Sequence, residues 1–364
     1  MKRIKTIDNI RGLCIFLMVL GHILGWWMRP EDLWLSLILN YILGDIAGGG
    51  FLFVSGLSAV IFFRSRLNKH KTSDDISIKQ VNNEYLIRAL LILVVALLYN
   101  SATAIGTLNP LNIWKWFIPL TIATSLLFGY PLLKTSKSFR LFFAAFIWIA
   151  HFLILSYLLP YQGQYNIFGI IYYVLYNPIG LHPILNYFSF FIIGTVVGDV
   201  MFEVYIKNDR NERQQGLKNK LWLPSLIIGP VLILIGVLFF FPNFLKHGTF
   251  SSIFYSLGVL LILFSLLLIL EEFETFKVKK NYTFFYFYSY YSLTIYFSHN
   301  ILYFLFLSQL NVITVWIATV GTFILLTLLI RVIYKKYREK ASLKAQIARL
   351  TIILVRRIEI KKRR

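Results

Sequence analysis

Cysteine is nearly missing: Cys14 is the only one in 364 residues. A disulfide within the chain and a cysteine-based zinc site are therefore excluded. No two of the six histidines stand four residues apart, so the chain lacks the helical histidine pair of a metal site. Acidic residues are also scarce, 16 against 37 Lys and Arg. There is no internal repeat and no inverted symmetry between halves, the usual mark of a secondary transporter. No polar stretch between the apolar runs is long enough for an ordinary soluble domain.

The net charge of +21 would point to nucleic acid in a soluble protein. Here the cations fall in alternate connections, as the positive-inside rule requires, and no nucleic-acid partner is expected. What the chain has in abundance is apolar surface: 58% of residues are hydrophobic and 17% aromatic, with a mean hydropathy of +0.68. This is the composition of an all-α integral membrane protein lying in the lipid bilayer. Ten runs are near spanning length: 9–29, 42–63, 85–104, 114–133, 140–159, 183–203, 221–241, 252–271, 284–306 and 312–334. The first run continues into further spans and lacks a small-residue cleavage site, so it reads as a span rather than a signal peptide.

Basic connections carry Lys2 and Arg3, then Arg64, Arg66 and Lys69, then Lys134 and Arg140, then Arg210 and Arg213, then Lys277, Lys279 and Lys280. The connections between them, such as 105–113 and 160–182, hold almost no charge. Both termini are thus expected on the cytoplasmic side of a cell membrane. Residues 1–334 form the membrane domain in this reading. Residues 335–364 form a basic tail, with Leu343, Ile347, Leu350 and Leu354 at helical spacing, as in an amphipathic helix on an anionic surface. Segment 33–63 is too long for one straight span, and Gly48, Gly49 and Gly50 in its middle predict a break, or an interfacial piece leading into the true helix.

The informative polar residues lie inside the apolar runs. Arg11 and His22 are eleven residues apart, which returns a helix to nearly the same face. Ionisable groups within a bilayer are expensive and face a site or a wet cavity. Helical rise places His22 roughly 16 Å above the cytoplasmic end of its helix, His299 roughly 24 Å and Asp45 roughly 28 Å. Asp45 is the natural carboxylate to orient a histidine. Straight helices would leave it roughly 12 Å above His22, and His299 is a rival partner. His151 reads as structural, and His182 and His247 as interfacial or loop residues.

The stretch Asp8-Asn9-Ile10-Arg11-Gly12, with His22 following, resembles the start of membrane-bound acyltransferases. The Arg-x10-His spacing is like that of acyltransferase family 3. The surrounding residues are more similar to the heparan-alpha-glucosaminide N-acetyltransferase-like family. Asp45 to Gly56 through Phe51, Phe53 and Ser55, His182-Pro183 with Gly194 and Gly198, and Tyr291 to His299 are similar to further elements of that family. The lysosomal enzyme of the family carries its catalytic histidine between the first span and the family aspartate. No histidine stands between Met28 and Asp45 here, so the resemblance passes that role to His22 or to His299.

What the resemblance implies is an acyltransferase. The donor is acyl-coenzyme A, with acetyl the expected group, taken from the cytoplasm as a co-substrate. The acceptor is a sugar, glycolipid or other polar molecule on the outer side, acylated on oxygen or nitrogen. His22 is the expected general base, with Asp45 or His299 beside it. Asn300 and the backbone at Gly49 are candidates for the oxyanion or the acceptor. Arg11, Arg64, Arg66 and Arg88 are candidates for the nucleotide phosphates. No metal is expected. The competing class is a transporter or flippase with a His/Asp proton relay, and a third is a non-catalytic sensor with a basic tail.

Overall fold

Local chemistry sets the helix boundaries. In a computed structural model, which describes residues 3–72, 77–177, 181–207, 209–272 and 284–363, nearly every element is helical. The helices are α1 (Lys5–Trp27), α2 (Leu33–Thr72), α3 (Ile78–Gly106), α4 (Ile118–Leu132), α5 (Lys137–Leu158), α6 (Ile167–Tyr176), α7 (Ile184–Tyr205) and α8 (Arg210–Leu217). They continue with α9 (Leu223–Phe239), α10 (Phe250–Glu272), α11 (Phe284–Tyr290), α12 (Ser292–Ser298), α13 (Thr314–Tyr337) and α14 (Leu343–Arg363). Lys277, Lys279 and Lys280 of the basic connection lie outside the described residues.

Side-chain oxygens cap the helix starts and satisfy amides that have no partner within the helix. Ser77 accepts from the Gln80 amide, Ser136 from Phe139, Asn166 from Gly169 and Thr249 from Ser252. Asp209 accepts from the amide of Glu212, the spacing of a capping box. The start of α1 is closed differently. The Glu271 carboxylate takes the backbone amides of Lys5 at 2.7 Å and Thr6 at 2.6 Å, which suits the positive end of a helix dipole.

Among the described residues, eight helical stretches are long and apolar enough to cross a membrane: Lys5–Trp27, Pro30–Thr72, Ile78–Gly106, Lys137–Tyr161, Ile184–Tyr205, Arg210–Phe239, Phe250–Glu272 and Thr314–Ile360. The chain is an all-α integral membrane protein. Two segments expected as full spans take another form. Helix α4 has 15 residues, and the run from 284 is broken into α11, α12 and a 3-10 turn over His299–Phe304. The predicted break at Gly48–Gly50 is absent, because α2 runs unbroken for 40 residues.

The chain divides into two compact units. One combines Lys2–Gly50 with Trp222–Gln346, and the other combines Phe51–Leu221 with Ile347–Arg364. In the second unit, glycines bring α2 and α7 into backbone contact. A Cβ added to Gly56 would stand 2.0 Å from the Phe191 carbonyl oxygen, and one on Gly194 would stand 2.0 Å from that of Phe53. Close approach of this kind is how helices gain dispersion contacts where lipid removes the hydrophobic drive. The Gly56 and Gly194…Gly198 elements of the sequence therefore have a packing explanation. In the first unit, Gly229, Gly236 and Gly258 do the same between α9 and α10. That hairpin fixes the connection at 240–249.

Candidate functional site

In the first unit the N-terminal motif holds α1 against α11. Asp8 accepts from Ser289 Oγ at 2.7 Å and from Arg3 Nε at 2.6 Å. Arg11 stands 3.6 Å from the same carboxylate and 3.4 Å from Ser289 Oγ. Gly12 belongs to the same seam, since a Cβ there would lie 2.1 Å from the Phe285 carbonyl oxygen. Arg11 thus has a structural duty beside any role in donor binding.

Further along α1, His22 meets His299. The C-terminal carbonyls of α1 explain the encounter. Trp26 O accepts from the Ser308 amide at 2.9 Å, and Trp27 O from that of Leu310 at 2.8 Å. Trp27 Nε1 donates to Leu302 O at 2.7 Å. These bonds satisfy the open end of the helix and lay the segment 299–310 along it. His22 and His299 stack with ring centroids 5.0 Å apart. Trp26 stacks on both, at 5.0 Å from His22 and 5.6 Å from His299.

The two rings differ in setting. His22 is exposed, although its neighbours Val19 and Ile23 are fully buried. His299 is buried, with Nδ1 2.6 Å from the Tyr296 carbonyl oxygen. A carbonyl only accepts, so Nδ1 carries the proton and Nε2 is left as an acceptor. Nε2 of His299 is buried with no hydrogen-bond partner among the described residues. Orphaned buried acceptors of this kind are uncommon and call for an explanation. Asn300 follows in the same 3-10 turn.

Asp45 is placed differently from the sequence expectation. Helix α2 begins at Leu33, and close contacts order it antiparallel to α1: Gly25 against Ser36, Gly21 against Asn40, and Gly50 against Cys14. Asp45 is therefore level with the part of α1 between Cys14 and Gly21. That is roughly 7 Å from His22 along α1, toward the N-terminal end of that helix. The expectation measures each residue along its own span, 42–63 for the second, whereas α2 runs from Leu33 to Thr72 and its stagger against α1 is set by these contacts. Its buried carboxylate takes His247 Nδ1 at 2.7 Å and the Gly248 amide at 3.3 Å. Sequence reasoning left His247 as a loop residue. The only signal was Thr249, a helix cap that fixes where the loop ends. Gly49 lies inside α2, where its amide is engaged in the helical ladder.

The remaining candidates belong to the second unit. Arg64 makes a forked pair with Asp199, at 2.7 and 3.1 Å, and donates to Leu133 O at 3.0 Å. Arg140, 1% exposed, pairs with the same carboxylate and donates to Thr195 Oγ1 at 3.1 Å. Arg66 pairs with buried Glu84 at 2.9 Å. The guanidinium groups of Arg66 and Arg88 both lie near the Phe62 ring, at 5.8 and 5.6 Å. Arg140 and Asp199 were not singled out from sequence, because nothing in their spacing marks the pair.

Comparison with curated proteins gave no match. Comparison with protein families gave one that spans both units: the model for the catalytic region of heparan-alpha-glucosaminide N-acetyltransferase matches residues 3–235. That segment holds the Asp8–Gly12 motif, His22, Asp45, and the glycines that join α2 to α7, and it favours transfer chemistry over transport. The chain thus belongs to the heparan-alpha-glucosaminide N-acetyltransferase catalytic family, as a membrane-embedded member of that group of transferases.

Proposed function

We propose that this protein takes an acetyl group from acetyl-coenzyme A on the cytoplasmic side of a membrane and transfers it to a carbohydrate or another polar acceptor on the outer side. The observation that carries this reading is the family match over residues 3–235, which includes His22, Asp45 and the arginines of the second unit.

The chemistry needs three provisions. A base takes the proton of the acceptor hydroxyl or amine as it attacks the thioester carbonyl, a step histidine performs near neutral pH. His22, accessible and stacked on His299, and Asp45 with its bound imidazole are the groups of the first unit suited to it. The oxyanion needs donors, and Asn300, next to His299, is suited to supply one. The phosphates need cations. Arg64, Arg66 and Arg88 suit that purpose, and the carboxylates of Asp199 and Glu84 hold the first two in fixed orientations. Arg11 is the corresponding cation of the first unit.

The test is incorporation of label from [acetyl-14C]acetyl-coenzyme A by the purified chain in lipid vesicles, with D-glucosamine and D-glucose as acceptor probes. The reading predicts a labelled product and stoichiometric release of coenzyme A thiol. A chain that neither binds acetyl-coenzyme A nor releases its thiol would not be an acetyltransferase.

A further inference from the structure

The family-matched segment ends at 235, before the connection that brings His247 to Asp45. This connection is built to hold one carboxylate. Gly248 has φ of +73°, a left-handed conformation that glycine adopts without penalty. The turn lets two successive residues address the same side chain, His247 Nδ1 at Oδ1 and the Gly248 amide at Oδ2. Thr249 then caps α10 and bonds back to Lys246 O at 2.7 Å. The α9–α10 hairpin anchors both ends.

The two partners contrast in exposure. The Asp45 side chain is 3% accessible, whereas the imidazole keeps 26% of its surface. A buried carboxylate against Nδ1 fixes the tautomer and offers a counter-charge to the imidazolium ion. Proton acceptance is thereby assigned to Nε2. His22 is flanked instead by the rings of Trp26 and His299.

We propose that His247 is the general base of acetyl transfer and that Asp45 is its positioning residue. This gives the connection between α9 and α10 the role that the resemblance leaves without a loop histidine, and it rests on the acetyltransferase reading. The acceptor's O–H or N–H proton passes to His247 Nε2 as its lone pair forms a bond to the thioester carbonyl carbon. The carbonyl π pair moves to oxygen. Collapse restores C=O and breaks the C–S bond, and the departing thiolate takes the proton from Nε2. The products are acetylated acceptor and coenzyme A thiol, with His247 neutral as at the start.

The experiment uses the full chain in lipid vesicles with acetyl-coenzyme A and the two sugar probes. His247→Ala should lose about 10²–10⁴-fold in turnover while its affinity for acetyl-coenzyme A stays at the wild-type value. Added imidazole should restore turnover saturably, because it supplies the missing base. Asp45→Asn should lower kcat with KM for acetyl-coenzyme A unchanged. Normal turnover in His247→Ala, or a loss that imidazole does not restore, overturns the inference and leaves the acetyltransferase reading intact. Rescue by imidazole of His22→Ala instead would move the base to α1. A wild-type chain that neither binds the donor nor releases thiol removes the acetyltransferase reading, and this inference with it.

Discussion

Arg140 on α5 and Asp199 on α7 form an ion pair in which the arginine side chain is 1% exposed and the carboxylate 6%. Arg64 completes the carboxylate's coordination from α2. A buried pair of this kind contributes little against a well-packed apolar substitute, but removing one partner strands a charge. Asp199→Ala should therefore destabilise the protein by about 3–5 kcal/mol, and Arg140→Met introduced with it should recover much of that loss. Thermal unfolding in detergent would read both. Equal stability of the Asp199→Ala single variant and wild type would show that the pair carries no such weight.

The orphaned Nε2 of His299 leads to a separable expectation. His299→Phe keeps a ring against His22 and Trp26 and removes the buried acceptor. It gives up the Nδ1–H bond to Tyr296, worth about 1 kcal/mol, and relieves an unsatisfied atom. Stability should change by no more than about 1 kcal/mol, while acetyl transfer should fall. A variant with full activity would reduce His299 to a packing ring.

Glycine in the helix seams gives a prediction with its own control. Gly194→Ala puts a methyl group 2.0 Å from a backbone oxygen that has no rotamer to escape by. Gly321→Ala meets nothing within 4 Å. The first variant should show a depressed melting temperature and poor yield. The second should match wild type or gain slightly, since alanine is the better helix former by about 1 kcal/mol.

The topology is open to chemical labelling. In a Cys14→Ala background, single cysteines at 108 and 164 should react with an impermeant maleimide from outside the cell. Those at 70, 137 and 214 should react only after permeabilisation. This follows from the alternation of basic and uncharged connections. Inverted labelling would also overturn the cytoplasmic donor.

The sequence made some of this architecture legible and hid the rest for physical reasons. Apolar run length announces a membrane protein because no other environment tolerates so many such runs. It does not announce how two neighbouring helices are staggered, so Asp45, placed by rise along its own span, was set too high. The Gly-Gly-Gly run reads as a break by propensity, yet tertiary contact with Cys14 and Leu260 uses Gly50 for packing. His22 was visible because it shares a stripe with Arg11, and His299 because it lies inside an apolar run. His247 sits in a loop, and a loop residue's partner is fixed by long-range geometry that no local spacing encodes. The pairing of Arg140 with Asp199 was hidden for the same reason.

The central claim is acetyl transfer from one face of the membrane to the other. Inside-out vesicles carrying the chain, loaded with impermeant acceptor sugars and supplied with labelled acetyl-coenzyme A outside, test it most directly. The account predicts labelled sugar within the lumen, coenzyme A thiol outside, and no intact donor inside. Intact acetyl-coenzyme A in the lumen without labelled sugar would contradict the account and describe a transporter.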